Sequence, residues 1–217
     1  MSRLDVLKSL LRSAAQGATF SLGRIGVGGI SLRKRLTALA FRRMVLSDSQ
    51  LTAAVARVPE VAAATVSSSG GRMRVDASFS DGRSLLVTLT PIGAAFAPRG
   101  AKELSMRAEP ESAALNPRCG DIFAAIATEV AHALWGPFLR RQGETGRRAL
   151  AHRHGNVLVV DLRSVPAVRL ALAQPITASA IEALALRSVE VTPGGLRIVP
   201  SLAGVDIDMD VDDHAPD

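Results

Sequence analysis

Four aspartates at every second position, Asp206, Asp208, Asp210 and Asp212, are the sharpest charge feature of the sequence. On a strand, residues two apart share a face, so these carboxylates would stand in a row. A hard cation such as Ca²⁺ needs oxygens that converge on a point, and a row does not converge. The spacing suits a solvated strand face that discourages edge-to-edge association, or a strip that docks on a basic surface such as the chain's own N-terminal segment. His152-Arg153-His154 places two imidazoles one residue apart in what reads as a loop, without a third ligand at zinc-site spacing. Glu129 and His132 lie three apart on an expected helix. Carboxylate-bridged metal bundles use that pair twice, with further glutamates, and no second pair is present. Cys119 is the one cysteine, which excludes an internal disulfide. Its place at an expected helix start could lower a thiol pKa, although a buried, inert thiol is the simpler expectation. There is no Gly-x-Ser-x-Gly and no Walker sequence, and Gly26-Val27-Gly28 is followed by Ser31 where a dinucleotide fingerprint needs its third glycine. No catalytic set, metal or cofactor is therefore expected, which leaves binding or assembly.

The composition fits that direction. Of 217 residues, 47% are hydrophobic, with no Tyr, one Trp and six Phe, so the core must be aliphatic. An aliphatic cavity can hold acyl chains, but the same residues can equally fill a core. The net charge is +6 and uneven: nine basic residues and one acid between Met1 and Arg43, against six aspartates and no Lys or Arg between Val205 and Asp217. A basic balance attracts phosphate on nucleic acid or on anionic lipid. Nucleic acid is disfavoured because stacking platforms are lacking. Asp5 spoils the basic start of a secretory signal, Arg24 breaks the Gly-rich stretch Phe20–Leu32, and no run approaches bilayer length. The expected location is cytoplasmic, peripheral to the inner membrane.

The elements that would position these groups follow from periodicity. Leu4, Leu7, Leu10, Leu11 and Ala14 recur at helical spacing, five glycines interrupt positions 17–29, and a second basic amphipathic helix is expected over Leu32–Leu46. Its Arg33, Lys34, Arg35, Arg42 and Arg43 are candidate contacts for an anionic membrane, by snorkelling toward headgroups. Otherwise the helix packs its apolar stripe on the body. Ser47-Asp48-Ser49 offers caps for a helix over Ser49–Val58, which stops at Pro59. Strands are expected over Ala62–Ser68, Arg72–Ser80, Ser84–Thr90 and Lys102–Ala108, with Pro91–Gly100 as a loop or a crossing of a sheet edge. The longest helix is expected over Gly120–Arg141, broken near its end by Gly136-Pro137. Gln142–Gly155 reads as an exposed loop, Val157–Leu162 as a strand, and Val165–Leu172 as a second strand with a bulge at Ala167-Val168.

One pattern occurs twice. Val66 leads through Gly70-Gly71 to Met73, Val75, Ala77 and Phe79, and Val189 leads through Pro193-Gly194-Gly195 to Leu196, Ile198, Pro200 and Leu202. Apolar residues at every second position beyond a tight turn mark a strand with one buried face. Each copy follows a short helical stretch, Ser49–Val58 or Ala178–Leu186. The class is α+β with a mainly antiparallel sheet.

The stretches Leu46–Val55, Ala64-Thr-Val, Gly71–Ala77, Val159–Pro166 and Leu186–Ile198 resemble the LmeA-like phospholipid-binding family of bacterial proteins, of tubular-lipid-binding (TULIP) type. The resemblance covers roughly Leu46 to Leu202 and is one of helix, hairpin and Gly-turn pattern. It implies a long bent antiparallel sheet wrapped around the Gly120–Arg141 helix, with a groove for acyl chains. The implied lining is Phe79, Leu85, Val87, Leu89, Ile122, Phe123, Ile126, Val130, Leu134, Leu170, Leu196 and Ile198. Members usually carry a signal peptide or lipid anchor, whereas this chain opens with basic amphipathic stretches. The expected organisation is a basic segment 1–46, a lipid-binding-like domain 47–204 and an acidic strand and tail 205–217. The expected function is non-enzymatic binding of a lipid or other hydrophobic ligand, at an anionic membrane surface. The alternative is a structural or interaction protein with a filled core, which forms a homo-oligomer or joins a partner.

Overall fold

The computed structural model describes residues 43–96, 100–139 and 149–202. The two helices expected in the N-terminal segment, the candidate membrane contacts Arg33, Lys34, Arg35 and Arg42, and the aspartate row at 206–212 lie outside the described residues.

Among the described residues the fold is α+β, with nine strands in two antiparallel sheets. The larger sheet has the order β2-β3-β4-β5-β7-β6, from strands β2 (Val61–Ser69), β3 (Arg72–Phe79), β4 (Ser84–Phe96), β5 (Lys102–Glu109), β6 (Ala151–His154) and β7 (Val157–Asp161). The smaller has the order β1-β9-β8, from β1 (Met44–Ser47), β8 (Leu184–Thr192) and β9 (Gly195–Leu202). Five helices connect them: α1 (Asp48–Ala56), α2 (Glu111–Ala114), α3 (Pro117–Trp135), α4 (Pro166–Leu172) and α5 (Pro175–Ala183).

Both copies of the hairpin pattern form, and in the same register. Val66 pairs with Val75 around Gly70-Gly71, and Val189 pairs with Ile198 around Pro193-Gly194. Gly70 and Gly71 take φ of 54° and 75°, which only glycine adopts readily. Pro193 followed by Gly194 at φ 81° matches the residue pair a type II turn demands. The copies build different sheets, β2-β3 the larger and β8-β9 the smaller.

Helix starts and stops obey local chemistry. Ser47 and Gln50 form a reciprocal capping box on α1: the Gln50 N–H donates to Ser47 Oγ, and the Ser47 N–H donates to Gln50 Oε1 at 2.9 Å. Asn116 caps α3 through the Arg118 N–H at 3.0 Å, and Pro117 occupies the first turn, where its missing N–H costs nothing. Gly136-Pro137 ends α3 in a 3-10 turn, as expected.

Five expectations are corrected. Residues 184–186, expected to end the helical stretch that includes Ala178, instead open β8. Residues 44–46, assigned to the end of a basic helix, belong to β1, where Leu46 is buried opposite Leu196. Pro91–Phe96, read as a loop or an edge crossing, continues β4, because a bulge between Pro91 and Gly93 takes up the missing donor. Residues 151–154, read as loop, form edge strand β6. Val165–Leu172, read as a bulged strand, is the start and body of α4: Pro166 opens the helix and Val168 and Ala171 face inward at helical spacing.

The strands of the larger sheet bury one face. Met73, Val75, Ala77, Phe79, Val87, Leu89, Leu104, Met106, Leu158 and Val160 are buried, while Arg72, Arg74 and Asp76 stand outward. Helix α3 contacts α1, β1, β6 and β7, so it touches both sheets. Ile122, Phe123, Ile126, Val130 and Leu134 make its buried stripe, whose gross hydrophobic contribution is on the order of 10 kcal/mol before chain entropy is counted.

Candidate functional site

Eleven of the twelve expected lining residues lie in one continuous apolar core, each between 0% and 5% exposed. They come from β3, β4, α3 and β9. The structure covers them with protein atoms. Leu170 is different: it stands on the outer side of α4 and is 53% exposed. Arg43, the one membrane-contact candidate among the described residues, is exposed immediately before β1.

The outer edge of β2 is closed by α1. The Val66 N–H donates to Thr52 Oγ1 at 2.9 Å, and the Ser68 N–H donates to Asp48 Oδ2 at 3.0 Å. At the same corner the Asp48 N–H donates to the Gly194 carbonyl and the Gly194 N–H to the Ser68 carbonyl, at 3.0 and 3.1 Å. These bonds tie the turn of the second hairpin to the first. They also remove donors that would otherwise invite an added strand.

The most unusual chemistry surrounds Lys102, which sequence reasoning missed. It opens β5 in phase with Leu104, Met106 and Ala108, so the alternation alone sends it inward. It is fully buried, with Nζ 3.5 Å from Glu182 Oε2 on α5 and 5.8 Å from the centre of the Phe96 ring. Phe96 in turn meets Trp135 with ring centres 6.1 Å apart. Desolvation pulls the Lys102 pKa below its ordinary value and outweighs the attraction of Glu182. Asp161 Oδ1 accepts the N–H of Lys102 at 3.1 Å and of Arg163 at 3.0 Å, which fixes the end of β7. A lysine with a lowered pKa is a potential nucleophile, but this ammonium is wholly covered. Its geometry serves as a lock between β5 and α5.

A second ionic cluster is exposed. Arg118 reaches Asp81 Oδ2 at 2.7 Å and Glu60 Oε2 at 3.0 Å, with its guanidinium 4.1 Å from the centre of the Phe79 ring. The hydrogen bond from Arg118 holds the Asp81 carboxyl down at about 2, helped by the Arg83 N–H. This pins the first turn of α3 to the β3-β4 turn. Arg57 bridges α1 to α3 through Glu129 at 2.8 Å, which engages the carboxylate of the Glu129/His132 pair. Cys119 lies in the first turn of α3, yet burial pushes its thiol up to about 11. Desolvation there wins over the helix terminus.

His152 and His154 share the outer face of β6 and are exposed. Among the described residues, no three His, Cys, Asp or Glu side chains are grouped to hold a metal ion, and no helix is long and apolar enough to cross a membrane. No protein-family model, no curated protein and no solved structure matches this chain.

Proposed function

We propose that this chain is a non-enzymatic interaction protein whose body is filled and whose exterior does the binding. In this reading the two sheets curve around α3 and hold it as a structural rod, and the protein joins a partner surface without enclosing an acyl chain. The burial of the eleven core residues carries the reading. An acyl chain laid along α3 would need room that Phe123, Ile126, Leu89 and Ile198 already occupy, each at 0% exposure. The capped edge of β2 and the four-residue, His- and Arg-bearing edge β6 argue against strand addition at the larger sheet.

The test is titration of the native protein with a fluorescent fatty acid, alongside light scattering. The reading expects no saturable uptake, together with a defined oligomer or partner complex. Saturable uptake at one site per chain, competed by phospholipid, would overturn it in favour of the groove implied by the family resemblance.

A further inference from the structure

The exterior carries one segment whose composition names an occupant. From Ser164 to Ile181 the chain contains a single charged residue, Arg169, and the first carboxylate beyond it, Glu182, is engaged by the buried Lys102. Helices α4 and α5 meet within this segment at Ala173-Gln174. The Thr177 hydroxyl closes the joint by donating to the Ala171 carbonyl and, at 3.1 Å, to the Gln174 carbonyl. On either side of that joint stand Leu170 and Ile176, 53% and 57% exposed. Two large aliphatic side chains in water, on a joint with an exposed arginine beside them and no carboxylate, make an amphipathic tip.

The geometry points to this α4-α5 joint as a docking tip for an anionic phospholipid bilayer. Leu170 and Ile176 enter the acyl boundary and Arg169 meets the headgroup phosphates. Charge complementarity favours this occupant: an acidic surface meets one guanidinium and no opposing carboxylate. Lys102 and Glu182 hold the base of α5 rigid against β5, so the tip is presented without ordering a loop. The inference rests on the exterior-acting reading and names its partner.

Flotation of the full chain with phosphatidylcholine vesicles, with and without phosphatidylglycerol, tests it. Wild type is expected to float with the anionic vesicles. Leu170→Glu combined with Ile176→Glu is expected to lower partitioning about tenfold or more, and Leu86→Glu, at an exposed apolar site on β4, to leave it unchanged. Both residues are more than half exposed, which limits the effect on folding, and circular dichroism verifies that the fold is kept. As a direct reporter, Ile176→Trp is expected to be quenched by brominated acyl chains, while buried Trp135 is not. Wild-type partitioning in the double variant, or an unquenched Trp at 176, overturns the tip while the exterior-acting reading stands. No flotation of wild type, with an oligomer that Leu170→Glu dissolves, overturns the bilayer in favour of a second copy. Saturable fatty-acid uptake would defeat the underlying reading itself.

Discussion

Truncating Phe123 on α3 separates a packed core from a ligand groove. Phe123 has no exposed surface and lies in the core among residues from both sheets. If that site is filled, Phe123→Ala removes a side chain surrounded by protein, losing its transfer energy and leaving a cavity. The expected cost is about 3–5 kcal/mol. If Phe123 instead lined an open groove, one side of the ring would already face water or ligand, and the cost would fall to roughly 1–2 kcal/mol, because much of the burial would be absent from the start. Ile126→Val, a single buried methylene, should cost about 0.5–1.5 kcal/mol by the same logic. The assay is urea unfolding followed by circular dichroism. With a slope of about 2–3 kcal/mol per molar, Phe123→Ala should lower the midpoint by roughly 1–2 M. A fall of less than about 1 M at an unchanged slope would refute the filled-core argument.

Other residues give independent checks. Gly195→Ala should be far more disruptive than Gly194→Ala: a Cβ at 195 would strike the Leu46 carbonyl and break the β1-β9 pairing, whereas at 194 the space is open and only the positive φ of 81° is strained, at about 1 kcal/mol. Paired urea melts would read the difference. Glu182→Ala should destabilise by about 2–3 kcal/mol, since it removes the carboxylate facing a buried ammonium, while Lys102→Met should be near neutral. Because the Lys102 pKa is lowered, the unfolded chain binds more protons between that lowered pKa and 10.5, so its contribution makes stability rise with pH across that window, and Lys102→Met should abolish the rise. The Asp81 carboxyl should titrate near 2 by NMR, and its contribution to stability, present above 3.8, should be lost as pH falls through about 2; Arg118→Gln should return the midpoint toward 3.8. Cys119 should resist a thiol reagent at pH 8 in the native state and react once the protein is unfolded.

Where local chemistry decides, the sequence was readable. Ser47, the glycine turns and Gly136-Pro137 act within a few residues of themselves, and each element end they imply is present. Where distant partners decide, it was not. Residues 44–47 become a strand only because β9 offers a complementary edge. Nearly every position from Val165 to Leu172 is apolar or small, so both periods fit, and packing rather than pattern selected the helix and turned Leu170 outward. The identical hairpin registers gave no hint that the copies would join separate sheets. The apolar lining was legible as a set, because burial follows alternation. Its coverage was not, because that depends on how closely α3 approaches the sheets. Lys102 had a visible signal, a charge in phase with Leu104 and Met106, that alternation alone could have exposed.

Native mass spectrometry of the gently purified full chain addresses the central claim most directly. A filled body predicts the bare chain mass of 22.7 kDa, or whole multiples of it, with no acyl-sized adduct. A stoichiometric phospholipid or fatty-acid adduct that survives desalting and is released on unfolding would contradict the account.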